Sequence, residues 1–423
     1  MPILLEQDRQ RPLPPMYRVR QRFAAGKLED PGAETRRQLR RPEIAGRVRP
    51  GMRVAVAVGS RGIRNLFAIV QAVVEGLLAL GAQPFVVSAM GSHGGGTQAG
   101  QREVLAGYGI TQQRLHVPVV TTVVSRKLGS VRGGVPVYFD EAALEADLVV
   151  PVNRVKPHTD FIGDLQSGLC KMLVIGLGNQ IGCSAIHEED PRRFAGILED
   201  AAGLILHRAN IGFGVAILEN GYDQTAAVEA VPAERLIARE KELVKAALRN
   251  MPRLMVPKMD VLVMREMGKD ISGAGYDPNI VGRSSVRDEF AVPVPEIERM
   301  VLLDLTDASH GNGIGVGLFD AITRRVYEKL DLASMYANAV ACKCIDDVKI
   351  PLVAADEEEA VRVALQTCRG LDWEGLRIVR IQNTLALEWI EVSGALLPAV
   401  EKNPLLSLEG PAPGIGQADA EEG

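Results

Sequence analysis

Aromatic side chains are scarce in this 423-residue chain, at 4% of the sequence and with Trp at only two positions. No basic stripe with interleaved rings can be drawn, and a formal net charge of −5 gives no global pull toward phosphate backbones, so nucleic acid is not an expected partner. Cysteine is sparse too. Cys170, Cys183, Cys342, Cys344 and Cys368 contain no CxxC spacing, which argues against a disulfide framework and a thiolate zinc site and fits reduced thiols in the cytoplasm. Long hydrophobic runs are missing as well: residues 66–80, the most apolar stretch considered, carry Gln71 and Glu75 at helical spacing. The first 22 residues mix proline with charge and hold no apolar signal-peptide core. The expectation is a cytoplasmic chain with no membrane span.

What is present reads as a folded enzyme. Hydrophobic residues make up 47% and charged residues 24%, and 43 glycines point to many tight strand-to-helix turns. The length predicts two domains, each able to bury a core. Residues 1–50 read as an extended lead-in with one short helix near 33–39. From residue 53 the pattern becomes regular, with a β-branched apolar run at 54–58, a helical period over 66–80 and a second strand at 84–88. That is a βαβ unit and implies a parallel sheet. A helix over 98–107, a buried strand at 147–152 and a charged helix over 233–249 continue it. Strands at 260–264, 300–305, 349–354 and 376–381, with helices at 315–325 and 356–368, form a second α/β layer. The expected fold class is therefore α/β, two α/β domains with parallel-sheet cores and an interdomain active-site cleft. Domain limits fall at 1–256, completed by 385–410, and at 257–384, with a solvated tail at 411–423.

In open parallel sheets ligands gather beyond the carboxyl ends of the strands, so the loops after Val58, Ala89 and Val152 are where chemistry is expected. The first, Gly59-Ser60-Arg61-Gly62-Ile63-Arg64-Asn65, precedes a helix and offers backbone N–H groups and two guanidinium forks to an anion. The second, Gly91-Ser92-His93-Gly94-Gly95-Gly96, surrounds a histidine with glycines that give it nothing to pack on, which favours acid/base work over a structural role. The third runs from Asn153 through Lys156, His158 and Asp160 to Lys171, and His187 follows. Lys171 precedes the apolar run Met172–Ile175, where desolvation lowers an amine pKa; a solvated lysine at an element's edge is the plainer alternative. Lys269, in Gly268-Lys269-Asp270, reads equally as a cleft cation or part of a Gly/Pro-rich turn, and His310 follows a later strand.

The segments SRGIRN, GSHGGGT, VKPHTDF and SGLCKMLVIGLG followed by AIH stand in the order and rough spacing of the nickel-pincer-nucleotide-dependent lactate racemases, and the chain resembles that family over residues 50–190. The tract Gly268–Asn279 looks like a paralogous branch. The resemblance implies His93 and His158 as paired acid/base groups, Lys171 as the attachment point of the nickel-pincer nucleotide, and His187 as the protein ligand to nickel. It also implies a substrate-carboxylate contact from Arg64; the anion-holding first loop adds Ser60 and Arg61 as expected cofactor contacts, and the cleft reading of Lys269 adds a substrate contact. The implied activity is racemisation or epimerisation of a small polar 2-hydroxy acid, with the cofactor-building enzymes as partners. Two other classes stay open. The 13-residue interval from His158 to Lys171, together with Arg61, is compatible with a non-catalytic cofactor carrier. The βαβ start is compatible with a nicotinamide-dependent oxidoreductase, although Gly176-x-Gly178 has its next glycine one position late, at 182.

Overall fold

A computed structural model describes residues 3–60 and 62–417, so that Arg61 and the last six residues of the tail lie outside the described residues. The chain divides into two compact units, Ala24–Met251 and a second made of Met1–Phe23 with Pro252–Gly423.

Among the described residues, the unit Ala24–Met251 is built on a six-stranded sheet in the order Val119–Val120, Gln83–Ser88, Arg53–Val58, Leu148–Arg154, Phe213–Glu219, Thr225–Pro232. All neighbours are parallel except the last pair. Arg53–Val58 is buried from its second residue onward, because a central parallel strand is covered on both faces. Alternate side chains divide accordingly. Ala55, Ala57, Val87 and Val149 join one core with Leu169, Leu173 and Ile197, while Val54, Val56, Val86 and Val150 join the other with Ile69, Val73 and Leu77. The helix Leu66–Ala79 supplies Leu66, Ile69, Val70, Val73 and Leu77 at the spacing that puts them on one face. After Gln83–Ser88 and Val119–Val120 the chain returns to the opposite side of Arg53–Val58, which makes the gap between that strand and Leu148–Arg154 a topological switch point.

In the second unit, the described residues form an eight-stranded sheet in the order Leu352–Ala354, Ala321–Thr323, Glu296–Leu305, Lys258–Met267, Ile378–Ile381, Trp389–Ser393, Met16–Gln21, Leu406–Ala412. The first five are parallel and the rest antiparallel. This differs from the sequence expectation in two places. Residues 385–410, expected to complete the N-terminal domain, pair here instead, Trp389–Ser393 with the preceding Ile378–Ile381, and so does Met16–Gln21 from the lead-in, whose partners come from the far end of the chain and are not revealed by its own pattern. The helix expected over 315–325 is a turn, a strand and a separate helix. Gly315 takes φ +96°, Ala321–Thr323 pairs with Val301–Leu302, and the Thr323 hydroxyl caps Arg324–Lys329 by accepting from Val326 N–H at 3.4 Å. Short apolar runs do not distinguish strand from helix by period.

Among the described residues no single helix is long and apolar enough to cross a membrane. The apolar pair Leu169–Gly176 and Asn179–His187 bends by 106° between its arms; Leu169, Met172, Leu173 and Ile186 lie in the core of their unit, while Ile181 is exposed.

Candidate functional site

The three loops singled out in the sequence meet at the switch point. A Cβ added to Gly59 would sit 3.2 Å from Met172 Cε, 3.6 Å from the Ala89 carbonyl and 3.9 Å from Asn153 Oδ1, so the ends of three neighbouring strands and the Lys171 helix converge there. Gly91 N–H donates to the Gly176 carbonyl at 3.0 Å, binding the second loop to the segment after Lys171.

His93 is exposed on a loop whose glycines 91, 94, 95 and 96 all take φ near +60°. Its Nδ1 meets the Ser60 hydroxyl, and the Ser60 carbonyl accepts from Tyr108 OH at 2.8 Å. Buried Gln101 holds the loop from below: it accepts from Ser88 Oγ at 2.6 Å and donates to the Gly91 carbonyl at 3.2 Å. A Cβ at Gly94 would stand 2.6 Å from Gln101 N, whereas one at Gly95 meets nothing within 4 Å. Gly95→Ala is therefore expected to cost only the left-handed backbone conformation, about 1–2 kcal/mol. Gly94→Ala is expected to cost more and to displace His93 as well; urea unfolding of the two variants side by side checks it, and equal losses refute the close contact.

The third loop closes on itself through paired backbone hydrogen bonds between Lys156 and Ser167, at 2.9 and 3.1 Å. Inside it, buried Gln166 accepts from His158 N–H at 2.7 Å. The Asp160 N–H donates to His158 Nδ1 at 3.0 Å. A backbone amide can only donate, so Nδ1 carries the lone pair and the proton of the neutral ring sits on Nε2. That Nε2 meets Lys171 Nζ.

Lys171 and His187 stand on the two arms of the bent helix pair. Leu169–Lys171 runs into a π-helical turn, Met172–Gly176, and then into Asn179–His187. Asn179, at φ +54°, fixes the start of the second arm by donating to buried Asp140 at 2.9 Å. Glu240 fixes the start of the first: its Oε2 accepts from Leu169 N–H at 2.6 Å and Cys170 N–H at 3.0 Å, satisfying the first amides of the short helix. Burial drives the Glu240 carboxyl up to about 7, against the pull of those two amides. His187 Nδ1 lies 2.7 Å from the Cys183 carbonyl, an acceptor only, so Nδ1 holds the proton and Nε2 the lone pair. The hydrogen bond with the Cys183 thiol raises the His187 pKa, while burial opposes that. Cys183 Sγ in turn lies 3.7 Å from Ser92 Oγ, next to His93 in the chain. Phe161 stacks on His158 at 4.3 Å between ring centres, and Phe194 meets both Phe161 and His187 edge-on at 5.6 Å. Side-chain contacts thus run from Ser92 through Cys183 and His187 to Phe194, Phe161, His158 and Lys171, and His93, bonded to Ser60, follows Ser92 in the chain.

Among the described residues no three His, Cys, Asp or Glu side chains gather as a metal cage. An imidazole with a lone pair on Nε2, an amine that faces a ring N–H, and a loop of left-handed glycines suit a metal-bearing cofactor tethered through nitrogen.

Arg64 is exposed; its N–H donates to Glu219 Oε1 at 2.8 Å and Glu219 Oε2 pairs with Arg154, so the loop is stitched to the next strand. Lys269 belongs to the other unit, where its ammonium donates to the Gly273 carbonyl and to Asn338, both at 2.7 Å, within its own turn. His310, at φ +47°, occupies an exposed turn of that unit. Sequence reasoning missed Gln101, Gln166, Cys183 and Glu240. Glu240 had a signal: in the helix Leu236–Asn250 it falls four residues after Leu236 and three before Leu243, on the apolar face.

No protein-family model matches the chain, and no curated protein does. Among solved structures, the chain is similar to the lactate racemase apoprotein from Thermoanaerobacterium thermosaccharolyticum. The TM-score is 0.53 at 12% identity, covering 85% of this chain and 93% of that one. By that likeness the chain has a lactate-racemase-like α/β fold.

Proposed function

We propose that the chain is a racemase or epimerase of a small, polar 2-hydroxy acid, a paralogous branch of the lactate racemases that works with a nickel-pincer nucleotide. The observation that carries this is the run of side-chain contacts joining His187 to His158 and Lys171 through Phe194 and Phe161, with His93 beside Ser92, which meets Cys183, at the strand ends of one unit. The fold likeness supports it.

Lys171 would tether the cofactor and His187 Nε2 would ligate its nickel. Ser60 and Arg61 would contribute to holding it, and Arg64 would receive the substrate carboxylate. When bound, the cofactor would supply hydride chemistry at the substrate's C2. The protein supplies the proton chemistry. One of His93 and His158 takes the hydroxyl proton, and the other returns a proton to the oxygen of the inverted product. Tethering consumes the amine lone pair that faces His158 Nε2–H, which turns that N–H toward the substrate oxygen. A scarcity of rings, 4% aromatic, suits a hydrated sugar acid better than an apolar substrate.

The test is exchange at C2. Protein produced together with the cofactor-building enzymes is incubated with a panel of C2-deuterated 2-hydroxy acids, and chirality is followed by polarimetry. Inversion of at least one acid is expected; nickel-loaded protein that inverts none refutes the reading.

A further inference from the structure

The hydrogen-bond directions around Lys171 fix its protonation without reference to any cofactor. The chain begins at a group with no freedom, the Asp160 amide, which donates to His158 Nδ1 at 3.0 Å. The ring proton of neutral His158 is consequently on Nε2, and Nε2 faces Lys171 Nζ. An ammonium there would set N–H against N–H. The contact is made only by Nε2–H donating to the lone pair of an uncharged amine. The surroundings agree. Lys171 is half-buried between buried Cys170 and Met172, and His158 is clamped by Phe161 on its face and by Gln166 at its backbone. The titratable groups near it include His158 from the loop and His187 with Cys183 from the next helix, and Glu240 caps the helix beneath.

We infer that in the cofactor-free chain Lys171 is a carbonyl-capturing amine at neutral pH, which takes small 2-oxo acids and aldehydes as an imine. The nitrogen lone pair attacks the carbonyl carbon and the C=O π pair becomes the hydroxyl of a carbinolamine. The two amine hydrogens and the carbonyl oxygen then leave as water, with His158 Nε2–H positioned to protonate the departing hydroxyl, and C=N replaces C=O. This is a binding chemistry of the site distinct from racemisation and does not depend on it.

The experiment uses full-length protein made without the cofactor-building enzymes. It is treated with glyoxylate or pyruvate and borohydride at pH 7, and the secondary amines are located by peptide mapping. Lys245, exposed on the helix Leu236–Asn250, is the internal reference. An ordinary lysine titrates near ~10.4, so Lys171 is expected to be labelled at least about a hundredfold faster than Lys245. His158→Gln offers an amide oxygen that an ammonium can use, and is expected to lower Lys171 labelling at pH 7 about tenfold or more. That labelling should return as pH is raised, with circular dichroism unchanged. Labelling of Lys171 no faster than of Lys245, or an unchanged pH profile in His158→Gln, overturns the inference. If capture is seen but the nickel-loaded protein inverts no acid, the racemase reading falls and this one stands; the reverse result separates them equally.

Discussion

Nickel-loaded His93→Ala is expected to lose about 10²–10⁴-fold in C2 inversion while keeping its metal, whereas His187→Ala is expected to lose the metal itself. The first magnitude is that of a positioned acid/base group in proton transfer. The two outcomes differ because the two rings are held differently. His93 sits exposed on a glycine loop with the Ser60 hydroxyl on its Nδ1, so truncating it removes a proton carrier and leaves the core intact. His187 ends a helix arm, is locked by its own Nδ1 on the Cys183 carbonyl, and presents Nε2 in one orientation. Metal analysis and kcat on the same preparations distinguish the two. If His93→Ala turns over normally, one-sided proton transfer would have to suffice, and a pair of histidines has no part in the reaction. Ser60→Ala gives the graded control: it leaves the imidazole and removes its partner, so a loss much smaller than for His93→Ala is expected.

The parallel core was legible because its strands are apolar on both faces. Residues 54–58 and 84–88 lie within Arg53–Val58 and Gln83–Ser88, and the expected helix at 98–107 coincides with Gln98–Gly107. The antiparallel hairpin Ser125–Val131 and Val135–Asp140 went unread, since its first strand is half-exposed and carries Arg126 and Lys127. The destination of Met16–Gln21 and of residues 385–410 was hidden for another reason: Met16–Gln21 pairs with Trp389–Ser393 and Leu406–Ala412 from the far end of the chain, which its own pattern does not name. The site divides the same way. Loop residues such as His93 and Lys171 announce themselves by odd company, glycines around an imidazole or an amine before an apolar run. The groups that aim them, Gln101, Gln166 and Glu240, look ordinary until their buried partners are known.

Glu240 is expected to make the unit Ala24–Met251 less stable as pH rises from about 5 to 8. Its carboxyl, fully buried beneath the helix that carries Lys171, titrates at about 7 in the folded chain against 4.5 for an unperturbed glutamate. Between those values the folded state holds a proton that the unfolded chain has released, so stability falls with rising pH across that window and is level above it. The difference corresponds to about 3 kcal/mol. Two amides, from Leu169 and Cys170, favour the carboxylate, but burial outweighs them, and Oε1 has no hydrogen-bond partner. Glu240→Gln retains an oxygen for both amides and removes the titration, so its stability curve should stay flat where the parent's declines, and the two should diverge most above pH 7. Both tryptophans, Trp373 and Trp389, lie in the other unit, so indole fluorescence reports the wrong transition. Hydrogen exchange of the Leu169–Lys171 helix in urea, on the full chain, reads the right one. Parallel curves for parent and variant would mean that the carboxyl is ionised throughout, with its charge held by the helix amides alone.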